Sequence, residues 1–503
     1  MSPTPRQLRI AHGRIEGLVT SRIVKLVATS FRTGLVPLIV SIVILVFSRL
    51  WRLSFYSLDG DEIFSVQAAR QNWSKMMQTI AIDLVHPPLF YAVLKIWMAI
   101  EAQSVFWLRL LPAFLGIVSV VPLIMICREL QLRRLETAMV VFLFSVNGFL
   151  IGYAQQVRMY SLALFCSLVS IWLFIRYIDS VNEQRKILTI LFLGNLALVY
   201  SHYFGWLVVG VESLIVLVWN RRRLPLFAIM DVLLMICYLP WIFAVLQANN
   251  EHPLSPHINW IGPPSIRGLV WFYAQLNGPF EFSRSTTLGV LLFGIPVLIT
   301  TWTLIKKRDN TELRRLLWLY LLAFLPSILA FCIGWSWQHS IFGDRHLIIC
   351  AAPYLMLVTV GAYRLPSKLV ASVVISAILA WSTVSGFRVI ETPERKLQWS
   401  WLASEIYKRE SRATEPVTVF ALEHFVAIAL EFNLEVQPQF LKVERSDFNS
   451  IKGEHFWVAF RNTTWKESRQ PQDLLRDSGY HVDESIRITA QGQTITVFPV
   501  DRR

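Results

Sequence analysis

Three carboxylates, Asp59, Asp61 and Glu62, fall within four positions of one short stretch, SLDGDEIFSVQ. The stretch directly follows an apolar run. Carboxylates beside hydrocarbon are costly unless they are paired, hydrated or used. Four more groups of polar residues interrupt the apolar sequence. DLVHPPLFY carries Asp83 and His86, followed by Pro87 and Pro88. The proline pair fixes φ and blocks a helix, so His86 should sit on a stiff, non-helical corner. YAQQVRMYS carries Gln155, Arg158 and Tyr160; YSHYF carries Tyr200, His202 and Tyr203; FGDRHLI carries Asp344, Arg345 and His346.

These residue types suit group transfer from a phosphate-linked donor. A carboxylate can take the proton of an acceptor hydroxyl. Arginines can hold a leaving phosphate and offset its developing charge. Histidine can hydrogen-bond phosphate or sugar, and tyrosine and tryptophan can stack on sugar faces. Each group also has a plainer reading. Arg158, Arg345 and Lys95 could snorkel to lipid headgroups. His202 could be an interhelical hydrogen-bonding residue, Asp83 an N-cap or turn residue, and Asp59 a turn residue before Gly60. Asp61 and Glu62 resist that treatment, because no nearby basic run neutralises both.

The elements that must position these groups follow from composition. The 503 residues are 54% hydrophobic and only 16% charged, against roughly 45–50% and 25% for a soluble domain. Apolar runs recur and predict eleven membrane-spanning helices. They fall at about 35–50, 110–127, 138–151, 159–175, 187–200, 203–219, 226–246, 288–304, 316–334, 346–363 and 369–388. The connections then alternate in charge. One set begins with the arm bearing Arg6, Arg9, Arg14, Arg22, Lys25 and Arg32 and ends with Arg364 and Lys368. It holds 22 basic and 7 acidic residues, a surplus of +15 in a chain of net charge +14, so the remainder carries −1. That asymmetry is the positive-inside pattern. It predicts a cytoplasmic N-terminus and an extracytoplasmic C-terminus, and it argues against a nucleic-acid partner. The basic arm shows no signal-peptide cleavage pattern, so the first span should act as its own insertion signal.

All five polar groups then lie on the extracytoplasmic side. Three outer regions are large: 51–109, 247–287 and 389–503. In the first, LFYAVLKIWMAI is too short to span and predicts a helix lying at the interface. In the last, PVTVFAL, HFWVAF and QTITVF predict strands and DLLRDSGY a helix ending at Gly479, hence a small α/β domain without disulfides. The predicted organisation is a basic arm (1–34), a transmembrane domain (35–388) and an extracytoplasmic domain (389–503). The five cysteines, at 127, 166, 237, 332 and 350, lie in or beside spans and read as buried structural thiols.

SLDGDEIFSVQAAR, DLVHPPLFY, WLRLLPAFLG and YAQQVRMYSLAL together resemble the membrane glycosyltransferases of family 39. These are bacterial relatives of the protein O-mannosyltransferases and of the lipid A aminoarabinose transferase, with the GT-C fold. The most specific pieces are the DE pair, the D-x-x-H-P-P that follows about twenty residues on, and R-x-Y further down. The resemblance implies an inverting glycosyltransferase of the bacterial cytoplasmic (inner) membrane. Its donor would be a polyprenyl-phosphate sugar and its acceptor an envelope glycan, lipid or protein, with membrane lipids as further partners. It implies that Asp61 is the catalytic base with Glu62 in support, Asp59 being the alternative base two residues upstream. Arg158 matches a donor-phosphate arginine, and His86, Tyr160, His202, Arg345 and His346 match further donor-binding positions. No ligand spacing demands a metal, although a divalent cation is compatible with the family.

The competing readings are a flippase or transporter of a lipid-linked glycan and a non-catalytic envelope scaffold. A transporter should carry ionisable residues near the bilayer midplane and often inverted repeats. A scaffold would leave the clustered polar residues without a use.

Overall fold

The computed structural model describes residues 34–101, 104–180, 184–251, 264–278, 284–307, 310–336, 342–391, 397–410, 417–434, 441–451, 453–463, 465, 467–490 and 493–502. The basic arm, apart from Gly34, lies outside these residues, as do 252–263 and 279–283 of the second outer region.

All eleven apolar segments fall on helices. The first is α1 (Leu35–Leu50). Three helices follow before the next apolar segment: α2 (Gly60–Arg70), α3 (Trp73–Asp83) and α4 (Leu89–Met98). Next come α5 (Val105–Val118), α6 (Val120–Glu129), α7 (Arg134–Val146), α8 (Gly148–Ala154), α9 (Tyr160–Asp179), α10 (Gln184–Ser201), α11 (Gly205–Trp219) and α12 (Leu224–Glu251). The helical series closes with α13 (Ile266–Leu276), α14 (Arg284–Lys307), α15 (Asn310–Ser336), α16 (Ala351–Tyr363) and α17 (Lys368–Glu391). Among the described residues, seven stretches are long and apolar enough to cross a membrane, and α1, α4 and α11 are shorter apolar helices. The segment expected as one straight span over 138–151 is broken, α7 and α8 meeting at 59°. Asn147 makes the break. Its backbone is extended, its Oδ1 accepts from the Leu150 amide at 3.1 Å, and its Nδ2 donates to the Leu276 carbonyl at 2.8 Å. The carbonyls freed at the end of α7 accept from the buried guanidinium of Arg49, at Phe144 (2.8 Å) and Ser145.

A second polar group lies wholly within apolar helices. Glu212 of α11 accepts from Ser170 Oγ of α9 at 2.6 Å and from Asn195 Nδ2 of α10 at 2.9 Å, and all three are sealed from solvent. Such side-chain bonds tie apolar helices together where hydrophobicity gives no direction. Cys127, Cys166 and Cys350 are buried free thiols, as expected. Cys237 and Cys332 correct that expectation: they sit on exposed faces of the apolar helices α12 and α15, which a bilayer rather than the protein core would cover.

The C-terminal α/β domain begins with α18 (Trp399–Glu410). It continues through β1 (Val417–Ala421), α19 (His424–Leu434), β2 (Leu441–Arg445), β3 (His455–Arg461), α20 (Pro471–Asp477), β4 (Tyr480–Val482), β5 (Ile486–Ala490) and β6 (Gln493–Arg502). The sheet order is β2-β1-β3-β6-β4, with β5 also pairing β6. β1 is parallel to β2 and β3, and β6 is antiparallel to its neighbours. The three strands and the helix read from sequence are β1, β3, β6 and α20; Gly479 follows α20 at φ 89°, a conformation that favours glycine. β2, β4 and β5 are only three to five residues long, and polar residues interrupt or alternate with their apolar ones.

Candidate active site

The opening carboxylates lie on the first turn of α2. Asp59 is its N-cap: Oδ1 accepts from the Gly60 amide at 2.7 Å, and the Glu62 side chain accepts from the Asp59 amide at 3.1 Å. This reciprocal capping box satisfies donors that a helix start leaves open. It gives Asp59 a local structural task in place of a simple turn.

Glu62 is 1% exposed and its oxygens are fully engaged. Oε1 accepts from Arg109 Nε at 2.9 Å and the Val157 amide at 3.0 Å. Oε2 accepts from Arg109 Nη2 at 2.8 Å and from the Asp59 amide. Arg109, on α5, spends its remaining donors on the carbonyls of Leu53 (3.1 Å), Tyr56 (2.7 Å) and Ser57 (2.8 Å). A two-pronged guanidinium–carboxylate pair of this kind is rigid as well as strong. It clamps the 53–57 connection, the start of α2 and the 157 backbone to one helix. Sequence reading passed over Arg109. The signal was a lone arginine inside the apolar run FWLRLLP, a charge that had to find a partner.

Asp61, one residue away, is the opposite case. Its side chain is 46% exposed, and only Oδ2 is engaged, accepting from Arg345 Nη1 at 2.9 Å. Oδ1 has no partner among the described residues. Arg158 is 4% exposed, which rules out snorkelling to headgroups. Its Nη1 donates to the Asp61 carbonyl (3.1 Å) and to Ser65 Oγ (3.2 Å), while its buried Nε has no partner among the described residues. Lys95 does not snorkel either: Nζ donates to the Ala69 and Gln71 carbonyls and closes the end of α2. Burial works to raise the Asp61 carboxyl, yet Arg158 and Arg345 outweigh it and hold the group below its ordinary value. A desolvated interface alone would have raised it.

The histidines gather behind this carboxylate. His86 occupies the corner between α3 and α4, with Leu84 at φ 60° and Asp83 ending α3 rather than capping α4. His86 and His202 have ring centres 5.3 Å apart, His86 and His346 5.9 Å, and His202 and His346 5.3 Å. Tyr160, the first residue of α9, lies 6.2 Å from both His86 and His202. His346 belongs to a tight 3-10 turn over Asp344–Cys350, which also presents Arg345. Both His86 nitrogens and His202 Nε2 are buried without a partner among the described residues. Burial first, then the cationic charge of Arg158 and its neighbours, pushes His86 well below its usual value. The same causes push His202 down to about 3, so these rings are neutral. A neutral imidazole offers one donor and one acceptor. Among the described residues, no three His, Cys, Asp or Glu side chains stand where they could hold a metal ion together, and no step below uses one.

Asp61, Arg158, Tyr160, His86, His202, Arg345 and His346 therefore converge, although up to 285 positions separate them in sequence. Glu62 adjoins them paired with Arg109, and Asp59 caps the helix that carries Asp61.

The chain superposes on the crystal structure of ArnT from Cupriavidus metallidurans bound to undecaprenyl phosphate with a TM-score of 0.54 at 13% identity. The match covers 92% of this chain and 97% of that one. The same ArnT in the apo state gives 0.53 at 12% identity over 95% and 98%. No family model matches the sequence, and no curated protein matches it. The shared fold is a multi-span helical membrane protein, GT-C-like, with a small C-terminal α/β domain.

Proposed function

We propose that the chain moves a sugar from a polyprenyl-phosphate carrier to an envelope acceptor on the outer face of the bacterial cytoplasmic membrane. The observation that carries this reading is the half-exposed Asp61 carboxylate beside Arg158 and Arg345, on a helix locked by Glu62 and Arg109. The undecaprenyl phosphate bound to the ArnT of like fold supports a polyprenyl phosphate as carrier.

In this reading, the acceptor oxygen attacks the anomeric carbon from the side opposite the phosphate. Asp61 Oδ1 takes the hydroxyl proton as the new C–O bond forms. The bond between the anomeric carbon and the phosphate oxygen breaks, and its electron pair leaves with the polyprenyl phosphate. Arg158 and Arg345 hold that anion and offset its charge. A phosphate that shares those guanidinium groups also weakens their hold on Asp61, which raises its basicity when the donor is in place. His86 and His202 supply neutral hydrogen-bonding groups to the sugar, His346 a further ring nitrogen, and Tyr160 a face for it. The donor cannot leave the bilayer, which is why the reagents sit at span ends. The charge asymmetry supports a cytoplasmic N-terminus, and thiol labelling at cysteines introduced in 221–223 and 442–445 tests it; cytoplasmic labelling of the second site would refute it.

The deciding experiment incubates purified protein with labelled polyprenyl-phosphate sugars and envelope glycans and lipids. Transfer in the wild type and its loss in Asp61→Asn support the reading. Movement of the labelled lipid across proteoliposomes without transfer would replace it with a flippase.

A further inference from the structure

The extracytoplasmic domain packs against the residue that precedes the proposed base. A Cβ added to Gly60 would lie 2.4 Å from both Phe425 Cδ2 and Cε2 and 3.2 Å from Cζ. The Phe425 ring is therefore pressed against bare backbone, one residue before Asp61. Phe425 is in the first turn of α19, and its ring is held from two other directions. Trp399 of α18 meets it edge-on at 5.9 Å. The Arg461 guanidinium of β3 stands 4.4 Å from its centre and is paired with Glu423 at 2.8 Å. At the far end of α2, the Arg70 guanidinium lies 5.4 Å from the Phe432 ring of α19. A third contact joins the same domain to the preceding connection, where the Ser400 amide donates to Ser57 Oγ at 3.3 Å. α2 is thus gripped on one side by Arg109 and on the other by α19.

We propose that Phe425 is a positioning residue for Asp61, so that the extracytoplasmic domain is part of the catalytic apparatus and not a separate acceptor-binding module. The proposal rests on the transferase reading above. Its logic is steric. The ring fixes how deep the first turn of α2 sits, and a base displaced by about 1 Å can lose about 10²-fold in rate. Donor contacts from Arg158 and the histidines come from other elements and should be spared.

The test is a double-mutant cycle on the full-length protein, read by single-turnover transfer, donor affinity and thermal melting. Phe425→Ala should lower turnover about 10- to 100-fold, with donor affinity within about twofold. Phe425→Leu, which keeps apolar bulk, should lose less. Gly60→Ala should be at least as damaging as Phe425→Ala, because the ring has nowhere to go. Gly60→Ala with Phe425→Ala should then recover turnover relative to Gly60→Ala alone and show non-additive melting shifts. Normal turnover in Gly60→Ala or Phe425→Ala, or a double variant no better than Gly60→Ala, overturns the proposal. So does a loss confined to acceptor KM, which would assign Phe425 to acceptor recognition. A wild type that transfers no sugar overturns the transferase reading and this role with it, whereas the melting cycle still reports the contact independently.

Discussion

Two carboxylate regions in this molecule have opposite surroundings. Around Glu212, the polar atoms answer one another: Ser170 and Asn195 bond its two oxygens, and Ser170 Oγ also lies 2.5 Å from Asn195 Oδ1. Around Asp61, hydrogen-bonding capacity is left over: one carboxylate oxygen, the Nε of Arg158 and three histidine nitrogens on His86 and His202. A buried polar group without a partner costs roughly 1–3 kcal/mol. The first region is a strut between helices; the second leaves groups unpartnered, as the proposed binding of a donor requires. Glu62 shows that the distinction is one of environment and not of location, since it adjoins Asp61 in sequence and yet belongs with the struts.

The largest expected effect follows from breaking the reactive region. Asp61→Asn keeps size and removes basicity, so single-turnover transfer should fall about 10²–10⁴-fold, the usual worth of acid–base catalysis. Donor binding should change little. Near-normal transfer in this variant together with a dead Asp59→Asn would move the base two residues upstream.

Breaking the strut beside it should register as stability. Arg109→Ala leaves Glu62 buried without its charge partner, a loss of about 3–5 kcal/mol. A melting temperature in detergent close to wild type would show that the pair is dispensable to the fold.

Arg158→Ala should weaken donor binding by roughly 10- to 100-fold, in line with about 1.5–3 kcal/mol for a hydrogen bond to a charged group. Equilibrium binding of a polyprenyl-phosphate sugar measures it, and unchanged affinity would remove Arg158 from the phosphate.

A smaller effect concerns pH. A carboxyl held below its ordinary value of about 3.9 stays ionised at every pH above that, so Asp61 should impose no acid limb on transfer between about pH 5 and 8. Its activity should be lost only as pH falls through the lowered value. Arg345→Gln removes one restraining charge and should shift that loss to higher pH. An unchanged profile would mean that Arg345 does not govern Asp61.

The smallest expected effect comes from the saturated region. Glu212→Gln keeps an oxygen to accept and a shape that fits, so transfer and melting should stay near wild type. If this conservative change abolished function while the protein stayed folded, Glu212 would be a titrating group inside the spans. The transporter reading would then gain the intramembrane residue it requires.

Much of this molecule was legible in the chain itself. The eleven apolar segments, the charge alternation between them, the strands PVTVFAL, HFWVAF and QTITVF and the helix before Gly479 are local or periodic signals, and local physics is what a sequence displays. The same holds for the polar groups, because a carboxylate or a histidine stands out in apolar surroundings whatever its partner. What the chain could not display was which polar residue meets which. Arg109 reads as one more charge until the fold carries it to Glu62 across 47 positions, and that pairing shows how Glu62 is held beside Asp61. Arg345 reaches Asp61 across 284 positions, and Arg158 and Arg345 together reverse the direction in which burial alone would move its proton affinity. Phe425 carries no chemical signal at all; only packing sets its ring on Gly60. Residue type and period were written in the sequence, whereas partner, saturation and depth depend on long-range contacts and were decided by the tertiary structure.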